Sequence, residues 1–171
     1  LLRISLLARY GGIWLDSTFF CTGDLQPYFD MPVWSIKRPD YRHVSVACGE
    51  FANYSFGCTT EYRKVFAILR EYLLEYWEHY DDMIDYLFSD YLIVLARKQN
   101  DYVNQAFNEI IPNNKNCDEL LKVLGTTFDS SEWEKLKDNT ALFKLTWKAA
   151  FPRMVDGKKT YYGKMLNGEL F

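Results

Sequence analysis

The stretch Tyr10-Gly11-Gly12-Ile13-Trp14-Leu15-Asp16-Ser17-Thr18 decides how this 171-residue chain is read. In residues 1–9, Leu2, Leu6 and Leu7 share one side of a helix, so a helix is expected to end here. Gly11 stands where helices commonly stop on a left-handed residue. The apolar run 13–15 is too short for a helix and reads as a buried strand. Asp16 then lies just past the strand, at the carboxyl edge where α/β sheets meet their ligands. An acidic oxygen donor there can hold Mg2+ or Mn2+ against a phosphate. The alternative is a turn or N-cap aspartate. Because the sequence opens inside an element, the expectation is the later part of a larger fold.

Outward from that stretch, the length suits one domain with a well-buried core. Twenty Lys and Arg against 23 Asp and Glu give a formal charge of −3. No basic face of the kind nucleic-acid binders carry is implied, so nucleic acid is not an expected partner. No apolar run approaches the roughly 20 residues that span a bilayer. Arg3 and Arg9 interrupt the only candidate stretch for a signal peptide. Cys21, Cys48, Cys58 and Cys117 form no C-x-x-C pair, which excludes zinc-ribbon and thioredoxin readings and suits a reducing cytoplasm. Aromatics make up 18% of the chain, fitting either sugar rings or an aromatic core.

Beyond the opening, strands are expected over 33–36 and 44–47 within a proline-punctuated middle. Val65, Ile68, Leu69, Tyr72, Leu73, Tyr76, Trp77 and Tyr80 predict an amphipathic helix of about five turns. A second helix is expected from Asp82 to Lys98, and a third, carrying Val103, Phe107 and Ile110, stops before Pro112. Asp118 caps a short helix ending at Gly125, Ser131 and Glu134 form a capping box, and 141–148 reads as a last strand. On the second helix, Asp82, Asp85 and Ser89 share the polar face, whereas Asp90 falls at the edge of the apolar stripe and needs a partner or a ligand. On the last strand, Lys144, Thr146 and Lys148 point together and suit a diphosphate. Trp14 and Trp34 are candidates for stacking or for the core. His43 and His79 are isolated and lack metal-ligand spacing.

The segment 1–18, an arginine-bearing helix, Tyr-Gly-Gly, an aromatic strand and Asp-Ser-Thr, resembles the central motif of the capsular polysaccharide synthesis family. The similarity continues through Tyr76-Trp77, 85–91 and 143–148. These are GT-A-type glycosyltransferases with a DXD-like motif. The resemblance implies an α/β, GT-A-like fold over 1–171, a single glycosyltransferase domain without its N-terminal nucleotide-binding strands and with a helix-rich second half. It implies hexosyl transfer, with retention, from a UDP- or GDP-sugar to a glycan or lipid-linked glycan acceptor.

By the same resemblance, Asp16 and Thr18 would hold Mn2+ or Mg2+, with Asp16 catalytic; Asp90, from its place at the edge of the apolar stripe, is the second catalytic candidate, facing the sugar or acceptor. Arg3, Gly12, Trp14, Asn53, Lys144, Thr146 and Trp147 would bind substrate. The implied location is the cytoplasm, at the inner face of the membrane as a peripheral protein. The sequence departs from the family pattern at Thr18, which replaces a second carboxylate, and at Phe143, where members place a histidine. Two other readings stay open: a non-catalytic glycan-binding module derived from such an enzyme, and an interaction domain whose aromatic helices pack on another chain.

Overall fold

The computed structural model describes residues 1–41 and 45–170. In chain order its elements are α1 (Leu2–Tyr10), β1 (Gly12–Leu15), β2 (Phe19–Cys21), α2 (Gln26–Phe29), β3 (Val33–Ser35), β4 (Ser55–Cys58), α3 (Arg63–His79), α4 (Phe88–Gln99), α5 (Asp101–Asn108), α6 (Glu119–Val123), α7 (Ser130–Lys137), β5 (Leu142–Lys144), β6 (Met154–Val155), β7 (Lys158–Lys159) and α8 (Tyr161–Leu166). Helices and small antiparallel sheets make a mixed α/β fold. The chain divides into two compact units, one of residues 1–15 and 26–112, the other of residues 16–25 and the chain from 113 on.

In the first unit α1 ends as expected. Gly11 has φ 69°, its N–H bonds the Leu7 carbonyl, and an added Cβ would sit 3.0 Å from the Cys58 carbonyl oxygen. The sheet runs β1-β4-β3, with Gly12 opposite Cys58 and Val33 also opposite Cys58. The buried faces of α1, α3, α4 and α5 meet in a core centred on Phe56, Phe66 and Phe107. Their rings lie edge-on at 5.7 Å for Phe56–Phe66 and 6.2 Å for Phe56–Phe107. Trp34 is fully buried and stacked on Tyr28 at 4.8 Å, so it belongs to this interior and not to a ligand face.

Several expectations need correction here. Of the strand expected over 44–47, Val44 lies outside the described residues, as does His43, and 45–50 form consecutive turns. The second helix begins at Phe88, not Asp82. The Asp85 carboxylate accepts from the Leu87 N–H at 2.6 Å, a local bond that competes with helix. Asp82 and Asp85 therefore share no helix face with Ser89.

The second unit pairs β2 with β5 antiparallel, Phe19 opposite Lys144. Its core gathers Leu120, Leu124, Trp133, Leu136, Phe143 and Tyr161. Two further corrections fall here. The last strand stops at Lys144, because the Thr146 hydroxyl accepts from the Lys148 N–H at 3.1 Å and bends the chain. Lys144, Thr146 and Lys148 thus do not share one strand face. The cap of α7 is Asp129, whose carboxylate accepts from Glu132 N–H and Ser131 hydroxyl, so the expected Ser131–Glu134 box does not form. Asp118 precedes α6 but makes no side-chain cap bond.

Asn114 fastens β5 in place. It is fully buried at φ 50°, and its side-chain oxygen accepts from the backbone N–H groups of Ala141 and Leu142, each at 2.9 Å. Asn114→Ala would orphan both donors, and buried unsatisfied donors cost roughly 1–3 kcal/mol each. Chemical denaturation should show a loss of about 2–6 kcal/mol; a variant as stable as the parent would contradict this role.

Candidate functional site

Two groups of chemically competent side chains emerge, one in each unit. In the first, Arg3 projects from α1 towards the two-residue turn Asn53-Tyr54, which Ala52 and Ser55 close. Its guanidinium donates to the Asn53 carbonyl and, at 3.5 Å, to the Asn53 side-chain oxygen. It also lies 5.8 Å from the centre of the Trp14 ring, within cation–π range. The Asn53 amide donates onward to the Ser89 hydroxyl, and its pull on the neighbouring Asp90 carboxyl favours the charged form. Buried hydroxyls hold the turn: Ser35 donates to the Ser55 carbonyl at 2.8 Å and accepts from the Ala52 N–H at 2.9 Å.

Asp90 is the unusual member. It sits in the first turn of α4, where a negative charge suits the helix N-terminus. Only 8% of its surface is exposed, and its Oδ1 is buried with no hydrogen-bond partner. Burial pushes the carboxyl pKa up from its ordinary value, against the downward pull of the Asn53 hydrogen bond and the Arg3 charge. A buried carboxylate oxygen left without a donor costs stability. The arrangement can accept one more hydrogen bond, of the kind a sugar hydroxyl supplies.

In the second unit, Asp16 opens a turn in which its carbonyl accepts from the Phe19 N–H at 3.2 Å. Thr18 follows, and its hydroxyl accepts from the Lys144 ammonium across 126 residues of sequence. The β2–β5 ladder enforces that meeting, since the Leu145 N–H bonds the Thr18 carbonyl at 2.9 Å. Lys144 also lies 5.7 Å from the centre of the Phe19 ring. Phe143 points the other way, fully buried, its ring 5.6 Å from Trp133. The position that departs from the family pattern is thus a core position here. Among the described residues no three His, Cys, Asp or Glu side chains gather where they could hold a metal ion.

The residues expected from sequence therefore fall into two sets. Arg3, Trp14, Asn53 and Asp90 form one cluster, and Asp16, Thr18 and Lys144 lie together at one turn and strand end. Gly12 has φ 85° with open space where a Cβ would stand, so its glycine is required by backbone conformation. Thr146 serves the bend after β5, and Trp147 is 80% exposed. Ser35, Ser55 and Asn114, which hold these residues in place, escaped the sequence reading, and the sequence marks Ser89 only as part of a polar helix face. Isolated Ser and Asn carry no periodicity signal, and only the turn propensity of Asn hinted at any of them.

The family model described as Capsular polysaccharide synthesis protein matches residues 1–165. No curated protein and no solved structure matches the chain. No helix among the described residues is long and apolar enough to cross a membrane.

Proposed function

The chain belongs to the capsular polysaccharide synthesis protein family, and from that membership we propose a glycosyltransferase that moves a hexosyl unit from a nucleotide sugar to a glycan or lipid-linked glycan acceptor. A GT-A-like fold is part of the proposal, as are retention at the anomeric carbon and action at the cytoplasmic face of the membrane. The observation that carries it is the Lys144 ammonium on the Thr18 hydroxyl, two positions from Asp16. A cation and a carboxylate on one turn and strand end suit a diphosphate whose charge grows as the glycosidic bond breaks.

The donor set was weighed for Mn2+ or Mg2+. One carboxylate fits an ion that takes its other oxygens from phosphate and water, as Mg2+ sites commonly do. Thr18 fits less well as a ligand. Its hydroxyl already accepts from Lys144, and a divalent ion about 4 Å from that ammonium would meet a repulsion of roughly 8 kcal/mol at an effective dielectric of about 20. We therefore assign the ion to Asp16, with Thr18 holding Lys144. When bound, the ion supplies charge stabilisation to the departing diphosphate. Lys144 adds a fixed positive charge whose geometry is set by β2 and β5. In the first unit, the free Oδ1 of Asp90 accepts from a sugar hydroxyl, while Arg3 and Asn53 orient the carboxylate.

Lys144→Met tests the carrying observation. Charge-assisted hydrogen bonds are worth roughly 1.5–3 kcal/mol, so affinity for UDP or GDP should fall about 10- to 150-fold. Calorimetric titration showing unchanged affinity would reject a phosphate role for this lysine.

A further inference from the structure

Charge in the second unit is segregated along the chain. Residues 144–164 carry six Lys and Arg against Asp156 alone, whereas the rest of that unit carries four Lys against nine Asp and Glu. Three of the six cations are already engaged, Lys144 by Thr18 and both Lys159 and Lys164 by Glu169. Lys148, Arg153 and Lys158 face no acidic partner among the described residues. Trp147, next to Lys148 in the chain, exposes 80% of its surface, with the Lys148 ammonium 5.9 Å from its ring centre.

The backbone that bears these groups is fixed. Leu145 and Phe151 pack into the unit's core on either side of the exposed tip 147–150. Thr160 clamps the next segment, donating its hydroxyl to the Pro152 carbonyl at 2.6 Å and its N–H to the Arg153 carbonyl at 3.1 Å. The helix α8 lies so close that a Cβ on Gly163 would fall 2.1 Å from the Arg153 carbonyl oxygen. Asp156 and Gly157, at φ 48° and 73°, close the tight hairpin that carries Lys158. Presenting such groups on an ordered backbone lowers the entropic cost of binding.

We propose that this exposed segment, residues 147–158 with Trp147, Lys148, Arg153 and Lys158, binds an acidic polysaccharide. The indole offers a flat apolar surface to the C–H face of a sugar ring, and the cations meet carboxylates along the polymer. A bilayer fits less well, because beyond the indole the segment's exposed apolar groups, Ala149, Ala150, Pro152 and Met154, are small or set singly among the cations. On the transferase reading, on which this point rests, the polymer is the acceptor, and its class narrows from glycan to acidic glycan.

The test is affinity electrophoresis of the full chain through gels containing polygalacturonate or neutral dextran, with co-sedimentation on phosphatidylserine vesicles in parallel. The parent should be retarded by polygalacturonate and not by dextran, and added salt should weaken the retardation. The double variant Arg153→Glu, Lys158→Glu should lose at least tenfold in polymer affinity while binding UDP or GDP as the parent does. Trp147→Ala should weaken polymer binding as well. Equal retardation by dextran, an unaffected double variant, or vesicle binding that survives excess polygalacturonate would overturn the proposal. A parent protein that binds nucleotide but is not retarded by polygalacturonate sinks this inference alone. Polymer binding without nucleotide binding sinks the transferase reading and leaves a glycan-binding segment.

Discussion

Replacing Asp16 with alanine is expected to slow release of nucleoside diphosphate from a sugar nucleotide by about 10²–10³-fold, the usual cost of removing one preorganised electrostatic contact to a developing charge. Asp16 lies where β1 hands the chain to a turn, outside both hydrophobic cores, so its truncation should lower the unfolding midpoint far less than it slows turnover. The loss should appear in turnover more than in fold, and Asp16→Asn should reproduce it, because the amide keeps the shape and loses the charge. A steady-state assay of diphosphate release in Mn2+ reads the effect directly. Full activity in both variants would reject Asp16 as the group that works on the diphosphate.

Asp90→Asn should move stability and turnover in opposite directions. The folded-state pKa of Asp90 is raised above the ordinary 3.8, with burial the largest cause. Between the ordinary and the raised value the native state binds more protons than the unfolded chain, so stability falls as pH rises through that window. Above that window the parent carries the full cost of a buried, incompletely bonded carboxylate. Asn removes the charge, and the variant should gain about 1 kcal/mol and lose that part of the pH slope. Turnover should fall at least about tenfold, since an ionised acceptor for a sugar hydroxyl becomes a neutral amide. Denaturation across pH, alongside kinetics, checks both halves. A variant that is less stable and equally active would make Asp90 a structural carboxylate.

The opening of the fold was legible because its signals are local. Gly11 ends α1, the run 13–15 forms β1, and the three-and-four spacing of Val65 to Trp77 forms α3, its last turns packing on Phe88 through Tyr76 and Trp77. Arg3, Asn53 and Asp90 could be picked out, but not their meeting, which depends on a turn and two buried serines. The pairing of β2 with β5 joins residues more than a hundred apart, and nothing local announces so distant a partner.

Local rules also misled where two of them competed. Met83, Ile84 and Tyr86 imitate helical spacing, yet they are 60%, 76% and 91% exposed. No core faces them, and the Asp85 side chain takes the backbone donor that a helix would need. Thr146 truncates β5 in the same way, and Asp129 outcompetes the Ser-x-x-Glu box as the cap of α7.

One measurement bears most directly on the whole account: calorimetric binding of UDP and GDP with and without Mn2+, on the parent and on Asp16→Ala. Mn2+ should tighten nucleoside-diphosphate binding to the parent, and this coupling should vanish in the variant. Affinity indifferent to Mn2+ in the parent, or coupling that persists without the Asp16 carboxylate, would contradict this.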